Sequence, residues 1–332
     1  MREALTMSRR RLLGIGVSLP LLAGCTLSNP TIDDPAATTS AADPSPSPSP
    51  SPTPTPTVAV AGAEQAATTE LRLAALARAI LTGPRRGGLS ADQRTLMEFV
   101  VRAHQAHAAA LDPSAPPPKP WGINQLTLSQ SLARLARSQT SAAIGHRTAA
   151  LAVSGLDAAR FGAVAAAAGL YARVITVAGP VPITRPAAPT EIPLQTDVEA
   201  VQSLVAQLHA LVYGYQLAIG RLPVASDRHD QAVAELLQHR VRRDRLIGWL
   251  TRRSADVPVA EPAYRPSVEP RDAASAAKLI RTMLVALQPF GAIWLAAAGD
   301  AERELAFTTF RTIVDLARGW NAPLQVWPGW LN

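Results

Sequence analysis

Residues 197–219 read DVEAVQSLVAQLHALVYGYQLAI, and this stretch decides the fold. Val198, Val201, Val205, Leu208, Val212, Tyr215 and Ile219 recur at steps of three and four. That spacing lays them along one side of an α-helix, so a single apolar seam runs for about three heptads. A helix with so long a seam needs other helices to cover it. The composition points the same way: 48% of the 332 residues are apolar but only 5% are aromatic. The interior must therefore be filled by alanine and aliphatic side chains, which favour helices.

Working outward, the same periodicity and the same stop signals recur. Ser226-Asp227 caps a helix that extends to about Arg253, and a proline-rich loop follows from Val257 to Pro270. A further helix runs from about Ala273 to Ala298 and stops at Gly299, and Asp300 caps a last one ending near Trp320. Before the seam, helices are expected over Glu70–Leu81, from Ser90-Ala91-Asp92 to Leu111, from Leu126 to Val153, and from Asp157 to Ala178. Each half has two helices, a proline-bearing loop, a long third helix ending in glycine, and an Asp-started fourth. The expectation is an all-α chain of two tandem four-helix bundles, 63–180 and 196–332, joined by a Pro-rich linker at 181–195. One merged helical array is the alternative.

The stretch from Val198 to Asn332 resembles a bacterial family of uncharacterised lipoproteins with a ferritin-like domain. The resemblance rests on Tyr213-Gly214-Tyr215, on His239-Arg240-Val241-Arg242-Arg243-Asp244-Arg245-Leu246, on Pro262-Ala263-Tyr264-Arg265-Pro266 and on Trp327-Pro328-Gly329-Trp330. It implies a ferritin-like four-helix bundle in the C-terminal half and carries no activity with it. The long loop between the second and third helices of each half suits the single crossover of such a bundle.

Toward the N-terminus, Arg9-Arg10-Arg11-Leu12-Leu13 resembles a twin-arginine export signal, and Leu22-Ala23-Gly24-Cys25 resembles a bacterial lipobox. Residues 1–24 are read as a signal peptide, with lipid carried on Cys25. The apolar run 12–22 is about eleven residues, too short to span a bilayer. Residues 25–62 read as a disordered tether, because proline alternates with Ser or Thr from Pro44 to Pro56. The expected location is the extracytoplasmic side of the cell membrane, held by lipid. Cys25 is the only cysteine, so neither an internal disulfide nor a thiolate metal cluster can form. Net charge is +7, of which the leader's four arginines and one glutamate supply +3, leaving +4. That modest surplus and the export signal argue against nucleic acid as a partner.

The chemistry-bearing residues are few. No Glu-x-x-His occurs, and the two long third helices carry no carboxylate, which argues against a dinuclear metal site in either bundle. No cofactor is expected, and enzymatic activity is not favoured. Two mononuclear candidates survive: His209, Glu235 and His239 in the second half, and His104, His107 and His146 in the first. Arg240 and Asp244 fall at the spacing of Val233, Leu236, Leu237, Ile247 and Leu250, so a buried ion pair at the bundle centre is expected there. Arg242, Arg243 and Arg245 are candidates for binding anionic lipid or wall polymer. The exported chain reads best as a binding or scaffolding module. A mononuclear metal protein or oxidoreductase is the first alternative and an anionic-polymer binder the second.

Overall fold

The computed structural model describes residues 60–83, 86–118, 126–177, 179–184 and 192–330. The leader, Cys25 and nearly all of the tether lie outside the described residues, as do residues 185–191 of the linker. The described residues form eight α-helices: α1 Ala63–Thr82, α2 Ala91–Leu111, α3 Leu128–Ala152, α4 Gly155–Val174, α5 Asp197–Ile219, α6 Asp227–Arg252, α7 Ala273–Ala297 and α8 Asp300–Gly319. A single 3-10 turn spans Arg86–Gly88.

Local chemistry fixes most of the helix starts. Ser90 with Gln93, Thr127 with Gln130, Thr196 with Glu199 and Asp272 with Ser275 form reciprocal capping boxes, and the Ser226 side chain accepts from the His229 amide. Two expected caps differ. Asp157 and Asp300 lie within the first turn of α4 and α8, where a carboxylate favours the helix dipole, while Ser154 and Gly299 hold the cap positions.

α1 packs on α2 and α3, and α3 on α4; in the second half α5 packs on α6 and α7, and α7 on α8. The halves meet where α4 crosses α7 and where α3 and α4 touch α8, and one apolar core runs through both. This explains the composition of α4. It is covered on both sides, so 14 of its 20 residues are buried and it shows no polar face. α7 is long and apolar enough to cross a membrane by length and composition, which the sequence reading did not anticipate. It is instead a core helix, packed against α4, α5 and α8.

The segment after α8 returns to the first half. The Leu324 amide donates to the Pro182 carbonyl and the Thr184 amide to the Leu324 carbonyl, both at 2.8 Å. Trp327 and Trp330 are buried, as a lid over the helices requires. Gly329 makes the sharp turn of this strap at φ +81°, and a Cβ there would lie 2.6 Å from the Phe310 ring and 3.2 Å from the Gln288 carbonyl. Gly329→Ala therefore combines backbone strain with overpacking and should cost about 2–4 kcal/mol, read as a fall in melting temperature.

Candidate metal centre

The inner face of α1 is Ala63, Ala66, Ala67, Glu70, Leu73, Ala74, Ala77 and Ile80. Glu70 thus stands on an apolar stripe, and packing carries its carboxylate into the interior, where it is fully buried. Three histidines meet it there. His104 Nδ1 and His107 Nδ1, one turn apart on α2, each lie 2.6 Å from Glu70 Oε2. His146 Nε2, from α3, lies 2.8 Å from Oε1. All three rings are buried. Tyr171 of α4 completes the ring of helices; its ring faces those of His104 and His107, and its hydroxyl donates to the Gln325 carbonyl at 2.7 Å.

The outer nitrogens have partners too. His107 Nε2 lies 2.7 Å from the Val326 carbonyl of the C-terminal strap, and the Trp327 edge packs on the same ring. Gln139 Nε2 lies 2.9 Å from His104 Nε2. These contacts dictate proton positions. Both nitrogens of His107 face oxygen acceptors, and only the imidazolium can donate twice. His104 faces a carboxylate on one side and an amide donor on the other, so it is neutral with the proton on Nδ1. The cluster is then one anion against one cation. Burial pushes the Glu70 carboxyl up, but the single positive charge carried by the His104–His107 pair, with the hydrogen bonds both rings donate, outweighs it and holds that carboxyl well below its ordinary range. Burial, reinforced by the Glu70 charge, pushes the Tyr171 phenol well up.

Glu70 Oε2, His104 Nδ1 and His107 Nδ1 belong to the single group among the described residues whose donor atoms converge closely enough for one metal ion. Two histidines and one carboxylate are the protein ligands of many mononuclear zinc and ferrous sites. The surroundings also suit ligation, since a metal-bound histidine usually donates its other N–H to a carbonyl or amide, and the ligating carboxylate is itself hydrogen-bonded. Val326 and His146 occupy those positions for His107 and Glu70, while Gln139 lies against His104 Nε2 with its N–H end. Tetrahedral ligation needs donor atoms about 3.3 Å apart, so the two 2.6 Å contacts to Glu70 must open slightly, within a group whose donor atoms all lie inside 4.8 Å of one another. A groove of about 760 Å³ opens between α1 and α3, and His146 is the one member of the cluster on its wall.

The second-half candidates do not assemble. His209 is only partly buried and its Nε2–H donates to the Pro258 carbonyl at 3.2 Å. The buried Glu235 carboxylate accepts from Tyr215 Oη at 2.7 Å, Trp320 Nε1 at 2.6 Å and Gln231 Nε2 at 2.8 Å. His239 is buried beside the Tyr215 ring and accepts at Nδ1 from Arg242 at 3.1 Å. These residues form a hydrogen-bonded core knot, and His209, Glu235 and His239 share no common centre.

The expected buried pair of Arg240 and Asp244 is also corrected. Asp244 is about 61% exposed and is held by the neighbouring Arg243, whose Nε and Nη2 donate to it at 2.9 and 2.7 Å. α6 buries Ala232, Glu235, Leu236, His239, Leu246, Trp249 and Leu250. Val233 and Leu237, taken as core positions, turn outward at 45% and 62% exposure. Two polar residues thus lie inside while aliphatic ones lie outside, so apolar spacing misplaced the helix face. Arg242 rather than Arg240 turns inward, and desolvation lowers its pKa. Asp244→Ala should therefore change stability by less than about 0.5 kcal/mol, seen as an unaltered urea midpoint.

A family model described as a domain of unknown function (DUF4439) matches residues 200–332. The chain is similar to a conserved hypothetical protein, rv2844, from Mycobacterium tuberculosis, at 28% identity over 38% of this chain and 94% of that one, with a TM-score of 0.36. No curated protein matches. Glu70, His104, His107 and His146 lie outside residues 200–332, while Val326 and Trp327, which back His107, lie within them.

Proposed function

We propose that the protein holds one first-row divalent metal ion through Glu70, His104 and His107, in a helical body anchored by lipid outside the cell membrane. The observation that carries this reading is the convergence of three buried donor atoms on one point, each held from behind by another residue. A single carboxylate suits one ion and falls short of the set a dinuclear bundle site requires. When bound, the ion would supply Lewis acidity or one-electron chemistry, and His146 would steady Glu70 through its other oxygen. Membrane attachment rests on the twin-arginine-like and lipobox-like stretches ending at Cys25. Cys25→Ala should release the protein from the membrane fraction.

The metal assignment is tested on full-length protein purified without an affinity tag. Mass spectrometry after zinc or ferrous loading and dialysis should find one equivalent per chain, lost in Glu70→Gln and His107→Phe. Substoichiometric metal in the wild-type protein overturns it.

A second reading has its own observation. Val233, Leu237 and Val241 form an exposed stripe at steps of four along α6, beside Arg240 and the exposed Arg245. Aliphatic side chains flanked by cations suit the surface of an anionic bilayer. Salt-sensitive sedimentation of lipid-free protein with anionic vesicles, weakened by Leu237→Gln, would support it; equal binding to neutral vesicles would not.

A further inference from the structure

Around the Glu70 centre two buried polar atoms, Trp327 Nε1 and Gln139 Oε1, have no hydrogen-bond partner among the described residues, and Gln139 is the one whose side chain is also hydrogen-bonded to a candidate ligand. A buried, unsatisfied amide oxygen is costly and requires an explanation. The other end of the same amide is committed, with Nε2 donating to His104 Nε2 at 2.9 Å. That arrangement suits His104 only while its Nδ1 carries the proton it donates to Glu70 Oε2.

Metal ligation reverses the requirement. His104 Nδ1 must then offer its lone pair to the ion, so the ring proton moves to Nε2 and needs an acceptor there. Gln139 can supply one without moving its backbone. Half a turn about the last side-chain torsion exchanges oxygen for nitrogen, because the two ends of the amide are nearly identical in shape. The unsatisfied oxygen becomes the acceptor of the His104 N–H. Among the described residues, Gln139 is the side chain hydrogen-bonded to His104 Nε2.

We propose that Gln139 is a positioning residue for the metal centre, its amide turning to fix the ring form of His104 that ligates. This inference rests on the metal reading above and goes further, because it assigns the orientation of one ligand to one residue of α3.

The test compares three full-length proteins by calorimetric titration with zinc and by thermal melting after metal removal. Gln139→Met keeps the length and approximate volume of the side chain but cannot accept from His104. It should bind zinc 10- to 100-fold more weakly, while its metal-free melting temperature stays within a few degrees of wild type, because an unsatisfied oxygen has been removed. Gln139→Glu retains an acceptor and should restore affinity to the wild-type level or above. Unchanged zinc affinity in Gln139→Met, or failure of Gln139→Glu to restore it, overturns the proposal while leaving the metal reading intact. A loss of metal-free stability in Gln139→Met matching the loss of affinity assigns Gln139 a structural role and also overturns it. Absence of zinc binding by the wild-type protein overturns both readings.

Discussion

Glu70→Ala is expected to lower the free energy of unfolding by about 3–5 kcal/mol and to abolish metal binding. Three rings donate to this carboxylate in a site from which water is excluded. Removing it strands the charge of His107 and leaves N–H groups of all three histidines without an acceptor; breaking a buried ionic set by deleting one partner costs this much. Urea denaturation of metal-free protein supplies the number. A second variant separates stability from function. Changing Glu70, His104 and His107 together to leucine replaces the ionic set by apolar groups and should recover most of the lost stability, but no metal affinity. A Glu70→Ala protein as stable as wild type would mean that the carboxylate is not held as described.

The second large effect is acid destabilisation through His239. Burial first, and the Arg242 guanidinium second, lower the pKa of this ring from 6.5 to about 3. The folded protein thus prefers the neutral ring more strongly than the unfolded chain does. The associated stability is complete above pH 6.5 and is lost as pH falls from 6.5 toward 3. At pH 5 the loss should be about 2 kcal/mol, since each pH unit below the unfolded value costs about 1.4 kcal/mol. His239→Gln keeps an acceptor for Arg242 and has no ring to titrate. The difference in unfolding free energy between wild type and this variant should shift by that amount between pH 7 and pH 5. A difference independent of pH would show that His239 is solvated or already paired as a cation.

Much of the fold was legible because it is written in local chemistry. Ser90, Ser226, Gly83 and Gly299 punctuate the helices, and the seam from Val198 to Ile219 is amphipathic enough to be read directly. The reading failed on α6 because spacing identifies a stripe without saying which way it faces. Val233 and Leu237 look like core, yet Glu235 and His239 are the residues inside.

The metal centre was half legible. His104, His107 and His146 were drawn together as a possible trio by their spacing and adjacent helices. Glu70 was passed over, although a carboxylate between Ala67 and Leu73 on an otherwise apolar stripe is the signal that marks it. Val326 could not be found by any motif, since it contributes a backbone carbonyl 219 residues away in the chain. Only tertiary packing brings that group to His107.

The strap gives the centre a further consequence. It ties α2 and α4 of the first half to the end of α8 through Val326 and Gln325, and the linker at Pro182 and Thr184 through Leu324. An ion bound at the proposed centre would hold His107, and through it the Val326 segment, and so would stabilise the folded protein.

Crystals of full-length protein equilibrated with zinc and measured on both sides of the zinc absorption edge test the central claim most directly. An anomalous peak bonded to Glu70 Oε2, His104 Nδ1 and His107 Nδ1, with Gln139 Oε1 turned toward His104 Nε2, is the predicted result. The absence of such a peak in crystals shown to contain zinc elsewhere, with the three side chains still hydrogen-bonded to one another, would contradict it.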